Sequence, residues 1–295
     1  MVNVSKLAMQ FDYQVVGDET IEICGINWAE RAKPQEIAVA YAPDDILKTD
    51  AVVILTEPCF VDTNKTLIFC DDFVEIAMIK IAEYFVEIGV LENHKKASND
   101  YISLNGSMIS PSAVIGQNTQ ISPFSVIGED VVIGDNCFIE NNVTIHRGVR
   151  IHNNVFIRSG AVIGGDPYFG VMGRTITSFC GVKSVIIEEG ASVGTNSTVQ
   201  RGVLSNTVIG KGTKVGDLVV IGHDTIIGHD CKIVSQSGIS GCVTIGDHTV
   251  IYGQSGVANN VHIGKNVTVN GKTSVMKNIP DNVIVSGLIG KFKNK

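Results

Sequence analysis

His223 stands in the run IGHDTIIGHD, and at constant intervals after it come Gly241 and then Asn259, the latter beside Asn260. An imidazole that titrates near neutrality can take a proton from an attacking amine or hydroxyl, an effect of roughly 10²- to 10⁴-fold. A glycine N–H left unshielded next to it can stabilise an oxyanion. Acyl transfer needs both, so the spacing makes His223 the candidate base and Gly241 the candidate oxyanion amide. Asn259 and Asn260 are candidate contacts for an acyl donor or a sugar. Of the other histidines, His94 lies in a charged linker, and His146 and His152 follow Ile145 and Ile151 as solvated corners.

The interval has meaning because of the chain that carries it. An aliphatic residue returns every six positions from Ile109 to Ile163, again at Ile187, Val193 and Val199, and then from Ile209 to Val275. A hexapeptide period marks a parallel β-helix, whose short strands bury their apolar face only when neighbouring coils stack on them. Four residues after each aliphatic the second inward position is small or β-branched, as at Ser125, Cys137, Val143, Thr213, Thr225 and Cys231. That choice fills a narrow interior without strain. Gly, Asn, Asp, Lys and Ser take the corners and face water.

At 295 residues the chain has room for a second, smaller domain before the repeat. The expected organisation is an α/β domain over 1–100, a β-helix over 101–278 and a tail over 279–295, mainly β overall. The first domain reads as a helix around Lys6 to Phe11, a hairpin near Val15 to Ile26 and strands at Ala51 to Leu55 and Thr66 to Phe69. An amphipathic helix from about Asp72 to Ile88 follows. The formal charge of −7 with scattered Lys and Arg excludes a basic stripe for nucleic acid. No apolar run reaches the ~18 residues of a membrane span and none resembles a signal peptide, which leads to an expectation of a cytoplasmic protein. Seven cysteines form no C-x-x-C pair, so neither disulfides nor a thiolate metal site are expected.

Two departures from the sixfold register stand out, because binding residues collect on irregular loops held by a rigid scaffold. An insertion over 164–186 carries Asp166, Tyr168 and Phe169 and reads as a loop leaning over a ligand groove. A shorter one, around Arg201 to Asn206, returns to register at Ile209.

These features resemble the hexapeptide-repeat acyltransferases, and within them the UDP-3-O-acylglucosamine N-acyltransferases and related nucleotide-amino-sugar N-acyltransferases. The likeness is carried by GDETIEICGINWAERAKPQEI, SGAVIGGDPYFG and RGVLSNTVIGKGTKVGDLVVIGHDTIIG, and extends over nearly the whole chain. It implies a left-handed β-helix that assembles as a homotrimer with active sites between subunits. It also implies that His223 deprotonates the sugar amine, that Gly241 holds the oxyanion, and that Asp166 contacts or orients the sugar.

The departures from that family are specific. Asn260 stands where the family has a second histidine. Val39 and Asp45 stand where it stacks uracil between a Phe and a Tyr, leaving Tyr41 as the nearby candidate for stacking a base. After GLIGKFKNK there is no helical extension of the kind that docks acyl carrier protein, which favours acyl-CoA as donor. The expectation is therefore an N-acyltransferase that moves an acyl group from a thioester to a nucleotide-linked amino sugar for a surface polysaccharide, with no permanently bound cofactor. Asp166 to Phe169 would orient sugar and pantetheine.

The alternatives are the lipid A enzyme itself using acyl carrier protein, a non-catalytic β-helix scaffold, and a zinc hydratase like the γ-type carbonic anhydrases. The last rests on His229 and His248, which share a face in adjacent coils. It lacks a third ligand to complete the site with them.

Overall fold

The structure, a computed structural model, describes residues 1–59, 61–71, 73–92, 101–167, 170–171, 177–178 and 180–287, with backbone alone at 170–171 and 177–178. The chain divides into two compact units, Met1–Lys95 with Tyr168–Val182, and Lys96–Pro167 with Lys183–Lys295. Tyr168, Phe169, His94, nearly all of the charged linker and the end of the C-terminal tail from 288 lie outside the described residues.

The repeat unit is a parallel β-helix. Its strands, most of two residues, stack into three ladders of eight, nine and ten strands. Along each ladder identical phases pair, so that Ile127 sits over Ile145, Ile145 over Ile163, Val199 over Ile221 and Ile221 over Ile239. These side chains form one continuous buried column with those of the other two ladders. An antiparallel pair, Ile102–Leu104 with Ser107–Ile109, closes the first coil. At the far end Ile284–Val285 pairs with Thr268–Val269, which carries the coil past residue 278.

The second inward position does more than fill space. Thr225 Oγ1 donates to the Ser240 carbonyl at 2.9 Å and accepts the Val243 N–H at 3.4 Å. Thr213 makes the same pair of bonds with Gly228 and Cys231, and Ser197 with Gly216 and Val219. A buried hydroxyl thus satisfies corner groups that no strand partner reaches, which explains why Thr and Ser recur inside an otherwise aliphatic core. The corner residue just before it is left-handed in coil after coil, at Asn118, Asn136, Asn142, Asp224, Cys242 and Asn260 among others. Asn and Asp tolerate that conformation better than other side chains, apart from glycine.

The N-terminal unit is built on a five-stranded sheet. From edge to edge it runs Gln14–Val16, Thr66–Phe69, Val53–Thr56, Glu36–Val39 and Gly25–Trp28. Helices Val4–Phe11, Pro43–Lys48 and Val74–Glu87 complete it. The expected hairpin near Val15 to Ile26 does not form. Gln14–Val16 instead pairs antiparallel with Thr66–Phe69, and Gly25–Trp28 pairs parallel with Glu36–Val39, at opposite edges of the sheet. Gly17, at φ +125°, passes so close to Thr66 that a Cβ there would meet the Thr66 hydroxyl at 2.7 Å, and the Asp18 N–H donates to that hydroxyl. The turn is therefore locked to a strand far along the chain rather than to its sequence neighbour.

Candidate active site

Where the shorter insertion sits decides the geometry. Residues linked across most of the coil are 18 apart, as Gln117 and Asp135, but across this loop they are 22 apart, as Thr195 and Asp217. The extra backbone, Val203 to Ser205, is buried or nearly so and would leave three N–H groups without ladder partners. Asp224, fully buried, takes all three. Its Oδ2 accepts from Val203 and its Oδ1 from Leu204, each at 3.0 Å, and Oδ1 also accepts from Ser205.

The same carboxylate lies 2.7 Å from Nδ1 of His223. An ionised carboxylate only accepts, so Nδ1 carries the hydrogen and Nε2 is left as the basic nitrogen. His223 is only 14% exposed, and its ring covers Gly241 so closely that a methyl group there would come within 2.5 Å of Nε2. Gly241 is thus required by the close approach of the base.

Counting in hexads correctly brings His223, Gly241 and Asn259 together. Their strands, Val220–Ile221, Gly238–Ile239 and Gly256–Val257, are consecutive rungs of the ten-stranded ladder. One expectation is corrected. The Gly241 N–H is not open, because it donates to Asn259 Oδ1 at 3.1 Å. Asn259 is therefore placed on the amide that an oxyanion would need. Asn260 is exposed, takes the left-handed corner, and its N–H donates to the Gly241 carbonyl.

Asp166 follows Val162–Gly165, two rungs from Val220–Ile221 on the same ladder, and pairs with Arg201, whose Nε is 3.5 Å from Oδ1. Arg201 is 3% exposed and also donates to the carbonyls of Gly164 and Arg147. His146 is exposed, as expected of a corner, but its ring also feels this group. Burial of part of its ring, then the Arg201 cation, hold its imidazole below the ordinary value, with Asp166 acting the other way. Neither Asp224 nor Arg201 was singled out by sequence. The signal for both was the shorter insertion, which begins at Arg201 and needs a buried acceptor one coil later.

In the N-terminal unit Tyr41 is 55% exposed and stacks on Trp28, with ring centroids 6.5 Å apart and planes 22° apart. Val39 is core, and Asp45 accepts the N–H groups of Tyr41 and Ala42 at the start of the helix Pro43–Lys48. Both positions are therefore structural here.

Among the described residues one cluster could in principle hold a metal, that of His223, Asp224 and Cys242, whose ligand atoms lie within 4.8 Å of one another. The donor set fits poorly. A carboxylate offers about four acceptor positions, and three N–H groups and the imidazole take as many from Asp224. His229 and His248 are 59% and 61% exposed and face Glu188 and Asp230. They join no such cluster among the described residues.

With this geometry in hand, residues 112–147, 130–165 and 206–241 match the family described as Bacterial transferase hexapeptide (six repeats). The coil is a hexapeptide-transferase repeat. It is a left-handed β-helix. Similar proteins include the UDP-3-O-acylglucosamine N-acyltransferases of Sinorhizobium fredii, 50% identical over 60 residues, and Methylobacterium nodulans, 43% identical over 67. Those matches cover 20% and 23% of this chain and only 17% and 19% of those proteins. The sequence match is thus far shorter than the near whole-length resemblance expected from the motifs. Among solved structures, the UDP-N-acetylglucosamine acyltransferase of Francisella novicida superposes with a TM-score of 0.57 at 27% identity, over 63% of this chain and 66% of that one. The corresponding enzyme of Bacteroides fragilis gives 0.56 at 28%, over 62% and 70%. No helix among the described residues is long and apolar enough to cross a membrane.

Proposed function

We propose that this hexapeptide-repeat protein is an acyltransferase acting on a nucleotide-linked amino sugar, with His223 as general base. One observation carries this reading: the His223 imidazole, oriented by buried Asp224, presents Nε2 against the backbone of Gly241. The sugar amine attacks the thioester carbonyl while Nε2 takes its proton. The negative charge gathers at the Gly241 N–H once Asn259 releases it, and the imidazolium then protonates the leaving thiolate. Asp166, fixed by Arg201, orients the sugar, and Tyr41 on Trp28 offers a face for the nucleobase. Tyr168 and Phe169 belong to the same proposed substrate contacts, as does Asn260 on the donor side.

Acyl-CoA is the favoured donor, a homotrimer the proposed assembly, and the cytoplasm the proposed compartment. The test is thiol release from short and long acyl-CoA and from acyl carrier protein thioesters, across a panel of UDP- and dTDP-amino sugars. Turnover with acyl-CoA and a free amino deoxysugar nucleotide upholds the reading. The names of the relatives support a second one, the N-acylation of UDP-3-O-acylglucosamine. Turnover confined to that sugar with the carrier-protein donor would establish it and remove the acyl-CoA assignment.

A further inference from the structure

Cys242 is the member of the His223, Asp224 and Cys242 cluster that neither the base nor the loop accounts for. Its thiol is half-buried, and its sulfur lies within 4.8 Å of a ring nitrogen of His223 and of the Asp224 carboxylate. The backbone holds it there, because Cys242 takes a left-handed corner at φ 59° and its N–H donates to the His223 carbonyl at 2.8 Å.

Other cysteines in the coil stand in contrast. Cys137 and Cys231 point inward, donate to the carbonyls of His152 and Gly246, and have thiols pushed up by burial, the largest influence on each. A thiol of that kind is inert, whereas one with an imidazole beside it and a path to solvent can lose its proton to that imidazole and react.

We propose that Cys242 is a modification site for small disulfides, and that its modification reversibly silences the centre built on His223. In the step, His223 accepts the thiol proton and the Cys242 thiolate attacks one sulfur of the disulfide. A new S–S bond forms to Cys242, the reagent's S–S bond breaks, and the departing thiolate takes the proton back from the imidazolium. Oxidation state balances within the exchange, and no other oxidant is needed. The mixed disulfide then sits beside the ring and next to Gly241, where an acyl donor would have to approach. The silencing rests on the acyltransferase reading; the modification itself does not.

The experiment is exposure of the whole protein to hydroxyethyl disulfide, followed by intact mass and peptide mapping over time, with thiol-release activity read in parallel. The expected first adduct is at Cys242, ahead of exposed Cys24 and of Cys59. Labelling at Cys242 is expected to slow roughly tenfold or more in both His223→Ala and His223→Gln, each checked for an unchanged melting temperature. Dithiothreitol should restore activity, and Cys242→Ser should keep turnover and lose sensitivity to the reagent. First labelling at Cys24 or Cys59, or a Cys242 rate unchanged in both His223 variants, overturns the proposal. A chain that labels first at Cys242 but transfers no acyl group upholds the site and removes the acyltransferase reading instead.

Discussion

The dipeptide His-Asp occurs twice within a few residues, at His223–Asp224 and at His229–Asp230, and the two pairs behave differently. Asp224 is buried and holds three loop N–H groups and the imidazole, while Asp230 is 62% exposed and stands 4.0 Å from His248. Asp224→Asn keeps an acceptor and tolerates the left-handed corner, but removes the charge that stabilises the imidazolium. Its expected effect is a fall in kcat of about 10²-fold with KM little changed. Denaturant unfolding should also show a loss of about 1–3 kcal/mol from the weakened loop bonds. Asn259→Ala should free the Gly241 N–H. If Asn259 only competes with the donor for that amide, KM for the acyl donor falls in steady-state kinetics, whereas a rise shows that its side chain contacts the donor directly. At this scale His223, Gly241 and Asn259 were legible by counting. Asp224 was not, because the same local sequence six residues later serves only as a solvated corner, and the difference lies in a loop one coil earlier.

The hexad explains the ladder elements almost completely, since each Ile or Val has a partner of its own phase above and below. What periodicity left out was the hydroxyl that bridges two coils. Thr225→Val preserves shape but leaves the Ser240 carbonyl and the Val243 N–H without their partner. It should cost about 1–3 kcal/mol in chemical denaturation, even though the surrounding interior is apolar. In the N-terminal unit the strands Val53–Thr56 and Thr66–Phe69 and the helix Val74–Glu87 lie close to where their patterns put them. The hairpin failed because alternation identifies a strand without naming its partner. Gln14–Val16 found its partner far along the chain, at a turn shaped by Gly17 against Thr66. Glu36–Val39 and Pro43–Lys48 were missed because they are only four and six residues long, too short for a period to show.

For the whole molecule, the regular coil is a scaffold and its two interruptions are where chemistry collects: Asp166 opens one, and Arg201 and the loop held by Asp224 make the other. A column of identical rungs has no reason to bury a carboxylate or an arginine, and this one does so where the register breaks. The most direct measurement is steady-state thiol release with acyl-CoA and an amino sugar nucleotide, comparing the unaltered protein with His223→Ala of unchanged melting temperature. A drop in kcat of about a hundredfold or more is expected if Nε2 is the base. Turnover within a few fold of the unaltered protein would contradict the assignment of His223 and, with it, the proposed active site.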